Sequence, residues 1–175
     1  MLLRNVVLCV AVGTAALSAL PAGAADVKTA PLQGADGATH GTVTVTGAPK
    51  GVLLRIEATG LPPGWHGAHF HEKGDCVAPG FTSAGAHVHA ATPVVHGLLN
   101  PQANDDGDLP NIFVGDDGKV TVELYSTLVA LEPGTSRPAL LGPAGAAVVI
   151  HASPDDYTTQ PIGGAGARIA CAVLR

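Results

Sequence analysis

The chain is poor in aromatic side chains, in charge and in sulfur. Aromatics make up 3% of its 175 residues and charged residues 13%. The 9 Lys and Arg are outnumbered by 14 Asp and Glu, for a formal net charge of −5. The basic residues are scattered rather than gathered in a stripe, so the electrostatic footprint of a nucleic-acid partner is missing. A single methionine and three cysteines rule out a Met-rich surface and a disulfide-dense scaffold. There is no CxxC pair of the kind that carries soft metals between proteins. Beyond residue 24 no apolar run is long enough to span a bilayer. No stretch there keeps helical periodicity over three turns.

The one long apolar run sits at the start. Arg4 precedes VVLCVAVGTAALSAL, and Ala22-Gly23-Ala24 follows as a small-residue cleavage site, the pattern of a secretory signal over residues 1–24. The competing reading is a membrane anchor, for which the run is too short. Cys9 lies inside the run and no lipobox-like cysteine follows it. Cleavage leaves residues 25–175 as one exported domain, periplasmic or extracellular, with enough chain for a core and no further membrane contact. Two cysteines then remain, Cys76 and Cys171, and an even pair in an exported protein predicts one disulfide. It would close a loop spanning more than half of that domain.

Gly (23) and Pro (14) are abundant, which marks a loop-rich chain. The periodic segments are short and have the two-residue repeat of strands. GTVTVTG (41–47) and GVLLRIEATG (51–60) alternate and flank the turn sequence GAPKG, so they read as a hairpin. VTVELY (120–125) alternates again, while AAVVIHA (146–152) and RIACAVL (168–174) are apolar runs of strand length. Many short strands punctuated by turns predict an all-β sandwich or barrel. Residues 72–119 and 126–145 are long and irregular, and loops of that length in a compact domain usually carry function.

The first of these loops and the segment before it hold most of the histidines. Six of the eight fall between residues 66 and 96. In GWHGAHFHEKGDC (64–76), His69 and His71 are two apart, so on a strand both imidazoles point to one face. Paired neutral imidazoles suit copper and zinc. His87, His89 and His96 follow in the loop, then the acidic run Asn104-Asp105-Asp106-Gly107-Asp108, and His151 ends a strand. A tag-like histidine tract does not describe residues spread over separate strands and a long loop.

In order, GLPPGWHGAHFHEKGDC, SAGAH, HG, GDLPN, VVIHASPDDY and GGAGARIACAVL resemble the bacterial copper,zinc superoxide dismutases, from about residue 26 to the C-terminus. The resemblance implies an eight-stranded Greek-key β-barrel or sandwich with long metal-binding loops. It implies copper ligands at His69, His71 and His151, and His87 as the imidazole bridging copper and zinc. His96 and Asp108 match zinc ligands, Cys76 and Cys171 the family disulfide, and Arg168 the arginine that guides the anion. Asp155 matches a carboxylate that hydrogen-bonds one ligand at each metal. His66 matches a structural histidine beneath the site, and His40 reads as solvent-facing. The implied activity is conversion of superoxide to O₂ and hydrogen peroxide by one-electron cycling of copper, with His87 carrying a proton and Arg168 attracting the substrate. The alternative is an extracytoplasmic copper-binding protein of the same fold with little or no turnover. The resemblance leaves the oligomeric state open.

Four positions depart from the family pattern. The third zinc histidine is replaced by Asp105, so the zinc set becomes His87, His96, Asp105 and Asp108, with one more negative charge. Carboxylate oxygen remains an acceptable zinc ligand. His89 stands where the family usually has Asn, as a substitute zinc ligand or as a bystander in a remodelled loop. Ile162 and Gly164 stand where Thr and Asn usually line the anion channel, which removes a hydroxyl from its wall.

Overall fold

The computed structural model describes residues 25–175, so the signal segment expected over residues 1–24 lies outside the described residues. The alternating segments form strands. In chain order they are β1 (Val27–Gly34), β2 (Thr39–Ala48), β3 (Gly51–Ala58), β4 (Gly64–His66), β5 (Ala68–His71), β6 (Ile112–Val114), β7 (Val120–Ser126), β8 (Ala146–His151) and β9 (Arg168–Leu174). A single 3-10 turn, Thr82–Ala84, is the only helical element among the described residues. The GAPKG hairpin is in place, with Ala48 paired to Gly51 across the Pro49-Lys50 turn.

Seven strands make one antiparallel sheet in the order β5-β8-β9-β1-β2-β3-β7, and β4 pairs with β6 in a second ladder. The two ladders are continuous. Only Gly67 separates β4 from β5, and its N–H and carbonyl bond Ser153 and His151. At the far end Gly115 N–H donates to the Lys119 carbonyl, so β6 turns directly into β7. Counting 64–71 as one strand, eight strands close into a barrel. β3 and β4 are consecutive in sequence yet not neighbours, and neither are β7 and β8. These crossovers give the Greek-key connectivity expected from the resemblance.

The period-2 pattern puts Val43, Val45, Leu54, Ile56, Leu32 and Phe70 in the barrel interior, each fully buried. Burial of each of these larger side chains contributes about 1.5–3 kcal/mol. β8 reads as a continuous apolar run because both of its faces are covered. Val148 and Ile150 face the barrel core, while Ala147 and Val149 pack outside it against Phe81, Ala84 and Cys171. That smaller outer cluster carries the Cys76–Cys171 disulfide, with Cα atoms 5.8 Å apart. The bond ties the loop after β5 to the last strand.

His40 differs from the sequence expectation. It is half-buried, with Nδ1 2.9 Å from the Thr59 carbonyl and Nε2 3.1 Å from the Asp36 carboxylate. The turn between β1 and β2 brings Asp36 to it, so the ring clamps that turn to the end of β3.

Candidate metal centre

β5 supplies the floor of the centre. His69 and His71 project from the same face of this strand, as their spacing predicts, and both are fully buried. The long loop folds back along β5 by backbone hydrogen bonds. Phe70 N–H donates to Gly107 O and Val88 N–H donates to Phe70 O, both at 2.9 Å. Bridges pair His69 with Asp108, His71 with His87 and His89 with Asp105. A stretch that looks irregular in sequence is therefore held against β5 residue by residue. His151 enters from the end of β8.

His69, His71, His87 and His151 form one compact group, with a ring nitrogen of each lying within 4.8 Å of the others. The remaining ring nitrogens fix the rings. His71 Nδ1 donates to Gly85 O at 3.0 Å and His151 Nδ1 donates to Gly166 O at 3.1 Å. His69 Nε2 donates to Asp155 Oδ2 at 2.9 Å. Nδ1 of His69 and Nε2 of His71, His87 and His151 are left buried without any protein partner. Four orphaned imidazole nitrogens would be costly in an ordinary core. Converging on one point, they suit a copper ion. Burial is the main cause that pushes His71 down to about 2 and His151 to about 3, so both rings are neutral, as ligands must be.

A second group adjoins the first through His87. Its Nδ1 lies 2.8 Å from Asp105 Oδ2 and 3.6 Å from Asp108 Oδ1. His96 Nδ1 lies 3.3 Å from Asp105 Oδ2 and 2.7 Å from Asp108 Oδ1. By distance alone His69 also falls beside His87, His96 and Asp108. Its unpartnered nitrogen belongs to the first group, however, while Asp105 contacts both histidines of the second. Asp108 Oδ1 is itself buried, facing the His96 ring nitrogen. Burial works against charge on His96, yet hydrogen bonds to Asp105, Asp108 and Asp155 raise it to about 11. Burial likewise opposes ionisation of Asp105, but His87 and His96 hold it well below the usual carboxylate range. Two imidazoles and two ionised carboxylates, all buried, fit a zinc ion.

Asp155 joins the two groups. Its Oδ2 accepts from His69 and its Oδ1 from His96 at 3.1 Å. Gly163 has φ +59, and a Cβ there would strike the Asp155 carboxylate, so only glycine fits. Asn111 holds the Asp155 backbone from both sides, donating Nδ2–H to its carbonyl at 2.8 Å and accepting its N–H at 2.9 Å. Asn111 had no role in the sequence reading, although it ends the GDLPN block. His66 is buried below, its ring nitrogens 2.7 Å from His151 O and 2.8 Å from Pro62 O.

A cavity of 190 Å³ opens onto His87 and is lined by Arg168, Ile162, Val94 and His89 among others. Arg168 Nη1 donates to Phe81 O at 2.6 Å and Nη2 to Gly85 O at 2.7 Å. No carboxylate lies within ion-pair distance of it among the described residues. His89 belongs to neither metal group. Its Nδ1 donates to the His87 carbonyl at 2.8 Å and the ring lines the cavity.

Residues 39–174 match the family model "Copper/zinc superoxide dismutase (SODC)". The chain is 63% identical over 147 residues to the superoxide dismutase [Cu-Zn] of Caulobacter vibrioides, covering 84% of each chain. Among solved structures, a double mutant of a SOD-like protein from Bacillus subtilis is similar at TM-score 0.79 and 39% identity, over 83% of this chain and 95% of that one. The Cu/Zn superoxide dismutase from Brucella abortus is similar at TM-score 0.68 and 28% identity, over 86% of this chain and all (100%) of that one.

Proposed function

The chain belongs to the copper/zinc superoxide dismutase family, and from that premise we propose that His69, His71, His87 and His151 hold its copper while His87, His96, Asp105 and Asp108 hold its zinc. Its activity is superoxide dismutation with copper and zinc as cofactors: two superoxide anions and two protons become O₂ and hydrogen peroxide. Bound copper supplies the one-electron redox couple for both halves of that reaction. The four buried, unpartnered imidazole nitrogens carry the ligand assignment.

The chain's own residues supply the rest. Arg168, locked by two carbonyls and unpaired, offers a fixed cation to a small anion entering the cavity. The protein is net acidic, so this attraction is local. His87 faces the copper group through Nε2 and the zinc group through Nδ1, which places Nε2 to hold and release a proton needed for peroxide formation. Asp155 fixes His69 and His96 in their tautomers. Ile162 and Val94 give the cavity an apolar wall beside Arg168.

A copper-binding protein without turnover is not favoured, because the 63% identical relative is named a superoxide dismutase [Cu-Zn]; the unpaired Arg168 beside the cavity supports the same reading. The signal pattern over residues 1–24 and the disulfide support export to the periplasm or the extracellular space, with 25–175 as the mature domain. Metal analysis and Cu(II) electron paramagnetic resonance test the ligand assignment. His151→Ala should lose the wild-type copper spectrum and keep zinc. An unchanged copper spectrum in His151→Ala would overturn the assignment.

A further inference from the structure

One backbone oxygen serves both the copper group and the anion cavity. Gly85 O accepts from His71 Nδ1 at 3.0 Å and from Arg168 Nη2 at 2.7 Å. Its position therefore sets the ring plane of a copper ligand and the aim of the channel cation together. Gly85 has φ +78, a conformation with no intrinsic preference to hold this carbonyl in place.

Glu72 follows His71 and grips the residue after Gly85 twice. Its N–H donates to Ala86 O at 2.9 Å, and its side-chain Oε1 accepts from Ala86 N–H at 3.2 Å. The carboxylate also lies over Gly85, where a Cβ would come 2.6 Å from Oε1. No cation lies within ion-pair distance of Glu72 among the described residues. The side chain is thus committed to the loop backbone and to no charge partner. We propose that Glu72 is a positioning residue: through Ala86 it fixes the Gly85 carbonyl, and through that carbonyl it orients Arg168 and His71. The inference rests on the metal-site reading above, but its geometry concerns protein groups alone.

The requirement is for an acceptor at Oε1, which glutamine keeps and alanine removes. Two readouts test it in Glu72→Ala and Glu72→Gln. The first is side-chain ¹⁵N nuclear magnetic resonance of Arg168 in the metal-free protein, which needs no copper. A guanidinium held by two carbonyls gives resolved Nη signals, whereas a released one averages them. The second is azide affinity of the copper- and zinc-loaded protein, followed by its visible spectrum. We expect Glu72→Ala to average the Arg168 signals and to weaken azide about 10-fold, with Glu72→Gln within about 2-fold of wild type. Wild-type Arg168 signals in Glu72→Ala would overturn the proposal, as would a Gln variant no better than Ala. Failure of the wild-type protein to take up copper would instead count against the metal-site reading, and the Arg168 comparison would still decide the role of Glu72.

Discussion

His69 and Asp155 meet at 2.9 Å through Nε2 and Oδ2, which leaves Nδ1 of the same ring buried and unpartnered. The carboxylate thereby decides which nitrogen of His69 faces the copper group. Its other oxygen does the same for His96 at the second group. Asp155→Asn keeps one acceptor oxygen for two imidazole donors, so one ring must lose its partner. Affinity for at least one of the two metals should fall about 10–100-fold. Competition with a calibrated chelator measures it, and wild-type affinity for both metals would contradict the bridging role.

Asp105 touches His87 and His96 but no member of the copper group other than His87. Asp105→Ala should therefore release zinc while copper stays at one per chain. Stoichiometry by elemental analysis checks this. Retention of zinc at wild-type affinity would show that Asp105 is not a ligand.

The metal-free protein should be most stable near neutral pH. His71 and His151 titrate in the folded state at about 2 and about 3, below their ordinary value of 6.5. The unfolded chain then binds more protons as pH drops below 6.5, and stability falls. Asp105 and Asp155, held below 3.8 chiefly by hydrogen bonds from histidines that outweigh their burial, extend that acid loss. His96 acts in the opposite sense. Raised to about 11, it contributes stability that is complete below 6.5 and is lost as pH climbs toward 11. Urea unfolding across pH should show both limbs, and zinc, by replacing the proton on His96, should abolish the alkaline one. A flat alkaline limb without zinc would contradict the buried His96–carboxylate cluster.

The disulfide is expected to influence activity through Arg168. Both of the arginine's carbonyl partners, Phe81 and Gly85, lie in the loop that Cys76 anchors to β9, and Phe81 is buried against Cys171. Cys171→Ser should loosen that loop and lower turnover per copper while the barrel remains folded. Full turnover in the folded variant would separate the disulfide from the channel.

The central strands of the barrel were legible because their inward positions alternate. β2, β3 and β7 stand where GTVTVTG, GVLLRIEATG and VTVELY predicted them. β1 was not visible. Pro31 breaks the strand pattern, and its inward residues Ala30, Leu32 and Gly34 include only one large side chain. β4 and β6 have three residues each and leave Trp65 and Phe113 exposed, so hydrophobic period has nothing to act on there. The residues proposed to hold the metals stand out in the sequence by type and order, and the structure brings His69, His71, His87 and His151 together. Gly85 and Glu72 were not legible, since Gly85 takes part through its backbone carbonyl and the Glu72 carboxylate meets a backbone N–H, a partner that no residue type announces.

Superoxide consumption per bound copper in the copper- and zinc-loaded protein tests the account most directly. A rate constant on the order of 10⁸–10⁹ M⁻¹s⁻¹, falling as ionic strength screens Arg168, is the predicted result. Copper at full occupancy with no consumption above the buffer would contradict it and leave a copper-binding protein of this fold.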